Sequence, residues 1–402
     1  MKQVTVIGAG ASGLAAALCA ARCGASVVCI EKENEPGRKL RLTGNGRCNF
    51  TNKNLLADFY HSDDPAFVQR VLDCFGTDSC LELMESAGIF PVCEKNGCYY
   101  PASHEASSVV RGLYTAAKRA GVSFHCGSPA VSLAGYLNKG TCIVACGGFS
   151  YPKTGSDGSG YRLLQQIVDK DDLLPPYPAL VPLLAEDDWI AQTAGVRMPA
   201  HLCLYEEKEK LGEESGQLQF TGTGLSGICA FNLSSKAHPA LSRNQKVFCV
   251  IDLFPSIEEK TLSEIVFHML SCAKNTPAQD ALCGFLPKKL LPLLLSFSGI
   301  PKKTPADTLD QNAAAKIASA VKNLTVSISG TGELSSGQVT GGGLALRSID
   351  PLTMEYKKIP GLYVTGELQN CDGICGGYNL HWAFATGTCA GMAAAKAAIG
   401  RP

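Results

Sequence analysis

The amino-acid sequence predicts an α/β fold in which a strand–helix–strand unit at the start of the chain is completed by elements near its end. A β-branched run leads into Gly8-x-Gly10-x-x-Gly13 and an Ala-rich helical segment, and a second strand from Ser26 to Ile30 ends before Glu31. Far along the chain, another short strand ends in Gly366-Glu367. The length of 402 residues indicates two or three domains.

The N-terminal motif has the order of elements that binds a dinucleotide, namely strand, glycine turn, helix, strand and acid. Gly8 permits the tight turn, Gly10 lets the backbone approach a diphosphate, and Gly13 lets helix and strand pack closely. The helix that begins near Ala11 would hold the diphosphate on its N–H groups and positive dipole end. Glu31 would hold a ribose.

Composition disfavours several classes of protein. Lys plus Arg and Asp plus Glu are 36 each, without long blocks of like charge, so we expect neither a nucleic-acid nor a membrane partner. Glycines and Arg22 interrupt the first apolar run, which argues against a secretory signal. The 19 cysteines are scattered, which favours reduced thiols in the cytoplasm. A small-molecule partner is expected, and the oligomeric state stays open.

The first half of the chain after Glu31 alternates between loop and helical patterns. A Gly/Asn/Arg-rich stretch up to Asn52 predicts a loop laid against a ligand. Helical spacing of apolar positions follows at 65–87 and 106–121. A buried type of strand at 141–145 then opens into Cys146-Gly147-Gly148.

The second half begins at a proline-rich segment, 173–184, which predicts a domain boundary. Short alternating runs at 183–254 predict a small β domain, and 255–323 has helical character. The pattern returns to β at 324–329, and a Gly/Asn-rich loop leads into a closing helix at 380–399.

The acid at the far end of the chain favours FAD over NAD. FAD is long enough for its adenosine to lie at the first unit while a distant acid holds the ribityl hydroxyls, and Glu367 is the candidate for that role. The loop 372–380 leads into the closing helix, whose N-terminus would stabilise the negative charge of a reduced flavin. The alternatives are a surface glutamate after an ordinary strand and glycines that only cap a turn.

A set of long, chemically unusual motifs carries a family resemblance: Thr43-Gly44-Asn45-Gly46-Arg47-Cys48-Asn49-Phe50-Thr51-Asn52, Ser150-Tyr151-Pro152-Lys153-Thr154-Gly155, Tyr177-Pro178-Ala179-Leu180-Val181-Pro182-Leu183, Phe220-Thr221 with Gly224-Leu225-Ser226-Gly227, and Gly376-Gly377-Tyr378-Asn379-Leu380. Together they resemble, nearly from end to end, the FAD-binding flavoprotein family of YhiN-like NAD(P)/FAD-dependent oxidoreductases, which includes aminoacetone oxidase and a bile-acid reductase.

The resemblance implies a Rossmann-like FAD-binding domain built from both chain ends, residues 1–182 and 339–402. Inserted into it are a small β-barrel-like domain, residues 183–254 and 324–338, and a helical domain, residues 255–323. Two departures weaken the transfer of a substrate from relatives. Thr221-Gly222-Thr223 stands where the family commonly has a histidine, and the stretch 122–141 is shorter than the family pattern.

The predicted cofactor-binding residues come from both chain ends. The glycine motif and the stretch after it supply Gly8, Gly10, Ala11, Ser12, Gly13, Glu31 and Lys32. The resemblance implies that two further groups of residues lie along the cofactor. Those along the flavin and its phosphates would be Arg38, Lys39, Thr43, Gly44, Arg47, Cys48 and Asn49. Those flanking the isoalloxazine would be Gly366, Glu367, Gly377, Tyr378 and Asn379. The set is completed by Cys146, Gly147, Gly148 and Leu380.

Three residues are candidates for chemistry at the flavin. His381 could move protons near neutral pH, and Tyr378 is the alternative proton donor, although each has packing as its alternative role. Cys48 is a thiol in one predicted flavin loop, while Cys371 and Cys375 lie in the other. A thiol–flavin relay is disfavoured because their spacing is not that of flavin disulfide reductases. Metal-ligand spacing is absent from the sequence, so no metal is predicted.

Together with the family resemblance, these features imply an FAD-dependent oxidoreductase that delivers a hydride to an activated C=C bond, as in the enone of an apolar steroid-like or bile-acid-like substrate. NADH or NADPH would reduce the flavin transiently. An amine oxidase of the aminoacetone type is the alternative, and a flavin-binding partner of RNA or protein without turnover is an alternative of another class.

Overall fold

The computed structural model describes residues 3–400. Its strands, in chain order, are β1 (Gln3–Ile7), β2 (Val27–Ile30), β3 (Thr51–Asn52), β4 (Tyr60–Ser62), β5 (Pro91–Cys93), β6 (Cys98–Pro101), β7 (Ser123–His125), β8 (Gly140–Val144), β9 (Leu173–Ala179), β10 (Leu183–Ala185), β11 (Arg197–Glu206), β12 (Glu209–Phe220), β13 (Gly224–Ser226), β14 (Val247–Asp252), β15 (Leu324–Thr331), β16 (Val339–Leu344), β17 (Leu362–Val364) and β18 (Cys371–Gly373).

The α-helices, in chain order, are α1 (Ala11–Arg22), α2 (Pro65–Cys74), α3 (Thr77–Ser86), α4 (Ala106–Arg119), α5 (Ala134–Leu137), α6 (Ser159–Leu164), α7 (Ile228–Ser242), α8 (Glu259–Cys272), α9 (Ala278–Ala281), α10 (Leu291–Phe297), α11 (Gln311–Lys322) and α12 (Tyr378–Ile399). The chain divides into two compact units, one running up to Ala179 and resuming at Leu334, the other formed by Leu180–Glu333.

The first unit is built on a parallel sheet of order β17-β8-β1-β2-β7. Its central strand is buried on both faces, with Val4 and Val6 on one and Thr5 and Ile7 on the other, as expected for a parallel sheet covered by helices. β17 comes from the far end of the chain and pairs Leu362 with Cys142 of β8. This pairing confirms that both chain ends build one Rossmann-like sheet.

The closing helix packs against the first helix through its glycines. A Cβ on Gly387 would lie 2.3 Å from the carbonyl oxygen of Ser12, and one on Gly391 would lie 2.4 Å from that of Ala16. Glycine at these two positions lets the backbones of α1 and α12 approach closely. The Ala- and Gly-rich composition of α12 therefore serves helix–helix packing.

Three smaller antiparallel ladders complete the first unit. β9 pairs with β16, which places Val339, a short distance after the chain re-enters this unit at Leu334, opposite Ala179, where the chain leaves it. β18 pairs with β4, and β3, β6 and β5 form a three-stranded sheet. The predicted proline-rich boundary is thus partly a strand, because among the strands of residues 3–400 β9 pairs with β16 alone and tolerates prolines on its open side.

The second unit contains a closed barrel of order β10-β13-β12-β11-β14-β15. The barrel interior and the helices α7, α8, α10 and α11 share one apolar core. The 15-residue helix α7 lies inside the segment predicted as β, which is a correction to the sequence-based expectation. The α/β class is confirmed, whereas the division of this unit into separate barrel and helical domains stays a prediction.

Candidate functional site

The glycine motif lies where the first strand of the parallel sheet passes into the first helix. β1 ends at Ile7, Gly10 precedes the helix, and Ala11, Ser12 and Gly13 form its first turn. Among residues 3–400, no side chain caps α1, and its first turn holds no acidic residue. The N–H groups and positive end of this helix are therefore available to an anion.

Glu31 stands directly after β2, and its carboxylate accepts two backbone hydrogen bonds. The N–H of Ala9 donates to Oε2 at 2.7 Å, and the N–H of Glu33 donates to Oε1 at 2.9 Å. Only 9% of the residue is exposed. The predicted ribose-binding acid is therefore fixed beside the glycine turn.

Gly10 gives a direct test of whether a diphosphate fits here. Its φ is −79°, which any residue adopts, and a Cβ added to it would meet no described atom within 4 Å. Neither the backbone conformation nor the packing of this chain thus requires glycine at this position. Glycine is required if a phosphate group approaches the backbone closely at the N-terminus of α1. The site therefore fits the diphosphate of FAD.

The two distant parts of the predicted site meet at Glu367. Its Oε2 lies 2.8 Å from Nζ of Lys39, and its Oε1 accepts a hydrogen bond of 2.8 Å from the N–H of Thr340. A Cβ on Gly148 would lie 2.9 Å from the same Oε1. Gly366 lies against α1, since a Cβ on it would lie 3.0 Å from Oγ of Ser12. Thr340 belongs to this cluster and was missed by the sequence analysis.

The loop before the closing helix is held by the side chain of Asn379. Its Nδ2 donates to the carbonyl oxygen of Gly373 at 2.6 Å, and its Oδ1 accepts from the N–H of the same glycine at 2.8 Å. Gly377 precedes α12 with φ of 99°, and a Cβ there would lie 2.7 Å from Oδ1 of Asn49. Asn379 therefore positions the loop through its own side chain.

Asn49 supplies a second test of fit. Its Oδ1 is buried and has no hydrogen-bond partner within the part of the chain that the structure describes. A buried acceptor of this kind calls for a donor. The isoalloxazine of FAD carries polar N–H and carbonyl groups along one edge, so the residues at this end of the site fit the flavin as well.

Like Lys39, the other predicted basic residues are paired with acids of the first unit. Nζ of Lys32 lies 2.6 Å from Oδ1 of Asp157. Arg38 pairs with Glu33, and the partly exposed Arg47 pairs with Glu94. The structure thus places these cations in the loop after β2 and near β6, without gathering them into one cluster.

The remaining predicted cofactor residues lie in two turns and in α12. Oγ1 of Thr43 donates to the carbonyl oxygen of Leu40 at 2.7 Å, and the N–H of Cys48 closes a turn containing Gly44 onto the Thr43 carbonyl. Cys146 and Gly147 follow β8 after Ala145, and burial raises the pKa of the Cys146 thiol to about 12. Leu380 is a half-buried residue in the first turn of α12.

The cysteine chemistry considered from the sequence has little support. Cys48 is fully buried, and burial raises the pKa of its thiol to about 12, so the reactive thiolate is disfavoured. Burial also raises the pKa of Cys371 well above its ordinary value. All cysteines within residues 3–400 are free thiols. The structure therefore argues against Cys48 as a catalytic residue.

His381 is a buried residue in the first turn of α12, with both ring nitrogens in hydrogen bonds. Nδ1 lies 2.8 Å from Oγ1 of Thr51, and Nε2 donates to the carbonyl oxygen of Phe75 at 2.9 Å. Burial lowers the pKa of His381 to about 4. A neutral imidazole with both nitrogens occupied supports a packing role, so the structure argues against the predicted acid–base role.

This environment predicts a pH dependence of stability. The unfolded chain binds a proton at His381 below about pH 6.5, whereas the folded chain binds it only near pH 4, so stabilisation present above 6.5 is lost as pH falls. The loss amounts to about 3 kcal/mol. In urea unfolding from pH 7 to 4.5, His381→Gln should be less stable at pH 7 and should show a shallower decline.

The matched control is His125→Gln, which removes an exposed histidine from β7. It should keep the steep decline of the parent protein. If His381→Gln declined as steeply as the parent, burial of a neutral imidazole would not be the cause.

Tyr378 lies in the same turn, with its ring against other aromatic side chains. Its ring centroid is 5.1 Å from that of Phe59 and 5.9 Å from that of Tyr60. Burial raises the pKa of the Tyr378 phenol to about 12, which keeps it protonated at neutral pH. A role as proton donor stays a prediction.

The buried carboxylate of Asp372, in the strand before α12, was not among the predicted site residues. Oδ1 of Asp372 accepts a hydrogen bond of 2.8 Å from the Tyr177 hydroxyl, and Oδ2 lies 3.2 Å from Nδ1 of His61. The Asp372 side chain is 1% exposed, and burial raises the pKa of Tyr177. Both residues belong to motifs noted in the sequence, but their spacing contains no signal that the two side chains meet.

The fold and site define a class of protein. A glycine turn that fits a diphosphate, a buried acid after the second strand, and a distant acid returned to the same sheet edge are the features of a Rossmann-type FAD site. The chain is an FAD-dependent oxidoreductase. The model of the family described as "HI0933-like protein Rossmann domain" matches residues 2–393, and the chain belongs to that family. The resemblance seen in the sequence is thereby confirmed.

Relatives with assigned activities match over almost the whole chain. A protein of Clostridium scindens named 3-dehydro-bile acid delta(4,6)-reductase is 36% identical over 98% of this chain and 100% of its own. A ribosomal RNA dihydrouridine synthase of Escherichia coli is 30% identical over 95% of both chains. Among solved structures, 3-ketosteroid-delta4-(5alpha)-dehydrogenase from Rhodococcus jostii has a TM-score of 0.46 at 13% identity, covering 98% of this chain and 97% of that one.

Across the described range 3–400, none of the helices combines the length and apolar character that a membrane span requires.

Proposed function

We propose that this protein reduces a C=C bond conjugated to a carbonyl group in an apolar, steroid-like or bile-acid-like ring compound. The observation that carries the proposal is the 36% identity, over 98% of this chain, to a protein named 3-dehydro-bile acid delta(4,6)-reductase. The relative named for dihydrouridine synthesis also has a name that implies saturation of a ring C=C bond beside a carbonyl. A shared hydride-accepting group thus supports an enone-type substrate.

When bound, FAD supplies the hydride, and the protein supplies binding, orientation and electrostatics. Glu367 would hold the ribityl chain, with Lys39 as its cationic partner at 2.8 Å. The N-terminus of the 22-residue helix α12, preceded by Gly377, would stabilise negative charge near the ring. The Asp372–Tyr177 hydrogen bond would keep the neighbouring loop in place.

Tyr378 is the proposed proton donor to the substrate after hydride delivery, because its phenol stays protonated at neutral pH. Tyr378→Phe should lower kcat by about a hundredfold while retaining flavin, since a positioned acid contributes that much or more. Steady-state rates together with the flavin absorbance measure both effects.

Tyr114→Phe, which removes a tyrosine hydroxyl from α4, should leave kcat and the flavin content unchanged. A Tyr378→Phe enzyme with the kcat of the parent would assign the ring to packing alone.

The test of function follows the colour of the flavin. Under anaerobic conditions NADH or NADPH should bleach the purified yellow protein, and a 3-keto-4-ene steroid should restore the colour with formation of the saturated ketone. The saturated 3-ketosteroid, which lacks the double bond, is the matched control and should not restore it.

Two other outcomes would contradict the proposal. Bleaching by an amine, with recovery by dioxygen alone, would favour the amine oxidase. A protein that no donor bleaches would favour a flavin-binding role without turnover.

Reduction of uracil in RNA is a second candidate, favoured by the 30% identity to the ribosomal RNA dihydrouridine synthase. The equal numbers of acidic and basic residues, 36 each, support the small molecule over RNA. Incubation with ribosomal RNA lacking the modification, followed by mass spectrometry for dihydrouridine, distinguishes the two. Formation of dihydrouridine without turnover of the steroid would replace the first proposal.

A further inference from the structure

A cluster of three different ligand types lies on the second unit. His201 and Cys203 are alternate residues of β11, and Glu213 belongs to the neighbouring strand β12. The ladder places Cys203 opposite Glu213 and His201 opposite Ser215. Because alternate residues of a strand point to the same face, the three side chains meet.

The distances among the three ligand atoms match one face of a tetrahedral zinc site. Nε2 of His201 lies 3.1 Å from Oε2 of Glu213, Sγ of Cys203 lies 3.4 Å from Nε2, and Sγ lies 3.8 Å from Oε2. Bond lengths of about 2.0–2.3 Å in tetrahedral geometry require separations of roughly 3.3–3.7 Å. A zinc ion would therefore fit with small side-chain movements.

The other nitrogen of His201 is already oriented for such a site. Nδ1 lies 2.7 Å from Oγ of Ser215, which directs Nε2 towards the cysteine and the glutamate. Metal-binding histidines usually have an outer partner of this kind on the second nitrogen. Asp252 lies opposite His201 on β14 but is paired with Lys322 at 2.6 Å, so it is not counted as a ligand.

A cation already lies against the cluster. Nζ of Lys210 is 2.6 Å from Oε2 of Glu213. Burial raises the pKa of the Cys203 thiol, and the Lys210 ammonium acts against that effect. The side chains of Glu213 and Lys210 are 54% and 41% exposed, so the lysine can swing away and an ion can enter from solvent.

We propose that His201, Cys203 and Glu213 bind one zinc ion on the outer face of the β11–β12 hairpin, with water as the fourth ligand. Binding displaces the Lys210 ammonium from Glu213 and converts the Cys203 thiol to a thiolate, with release of its proton to solvent. The nitrogen, sulfur and oxygen donor set favours zinc over calcium or magnesium, which prefer oxygen ligands alone.

The experiment titrates the chelator-treated flavoprotein with zinc sulfate, using equilibrium dialysis with elemental analysis and zinc K-edge absorption. We expect one zinc per chain with a sulfur ligand in its shell, and uptake of zinc should release protons. Cys203→Ser should remove the sulfur and weaken binding at least tenfold. Lys210→Met, which removes the competing cation, should strengthen binding at least threefold.

The matched control is Cys272→Ser, which removes an exposed cysteine whose Sγ lies 3.8 Å from Nε2 of His268 on α8. Among residues 3–400 this His–Cys pair is not part of a cluster of three ligand atoms, so its loss should leave zinc binding unchanged. Circular dichroism shows whether each variant is folded. Equal zinc affinity in Cys203→Ser and the parent protein, or weaker binding in Lys210→Met, would overturn the proposal.

Discussion

Gly10→Val is expected to give a folded protein that no longer retains flavin. The valine Cβ would enter space that no described atom approaches within 4 Å, and the backbone φ of −79° accepts valine without strain. The protein itself therefore has little reason to unfold. The added side chain would occupy the space that the diphosphate needs at the N-terminus of α1. The hydrogen bonds of the diphosphate to the backbone would therefore be lost.

The measurement is the ratio of flavin to protein absorbance after purification, with circular dichroism as the check on folding. We expect at least a tenfold lower flavin content than in the parent protein. Gly135→Val on α5 makes the same change at another glycine whose Cβ would meet no described atom within 4 Å, and it should retain flavin. Full flavin content in Gly10→Val would show that the diphosphate lies elsewhere.

Gly13→Ala, three residues further along the same motif, should instead lower the stability of the folded protein. Its Cβ would lie 1.9 Å from the carbonyl oxygen of Gly8 and 3.3 Å from the Cβ of Ala145. The first contact is with backbone, which cannot rotate away as a side chain can. One methyl group here would therefore separate α1 from the sheet, at a cost of about 3 kcal/mol or more.

Thermal unfolding followed by circular dichroism measures this effect. A loss of about 3 kcal/mol corresponds to a Tm lower by roughly 6–12 °C in a unit of this size. Gly135→Ala adds the same methyl group without contact and should leave the Tm unchanged or slightly higher. A Gly13→Ala protein with the Tm of the parent would mean that helix and strand are not packed as closely as described.

The local elements were predictable where the sequence pattern and the hydrogen bonding agree. The glycine motif placed β1 and α1 correctly, because turn, helix and strand signals follow one another within 30 residues of the start. The helix α7 was missed because its residues, including Ser234, Asn232 and Pro239, lack a clear helical spacing of apolar positions. Its burial comes from packing on the barrel, which local patterns do not contain.

The acidic residues of the candidate site were predictable from the sequence, whereas the groups that form hydrogen bonds with the site residues were less so. Glu31 and Glu367 follow strands, and strand ends meet at one edge of a parallel sheet. Thr340 could not be found, because its N–H reaches Glu367 only through the pairing of β9 with β16. The hydrogen bonds of His381 likewise depend on Thr51 and Phe75, which are brought to it from more than 300 positions away.

The pairing of β9 with β16 also bears on how such proteins diversify. Ala179 and Val339 stand opposite one another, so the 154 residues of Leu180–Glu333 leave and return at neighbouring points of the first unit. A gene segment encoding this stretch can therefore be exchanged between relatives through two junctions that lie side by side in space. Recombination at that point would keep the inherited cofactor unit intact while replacing everything carried between the two strands.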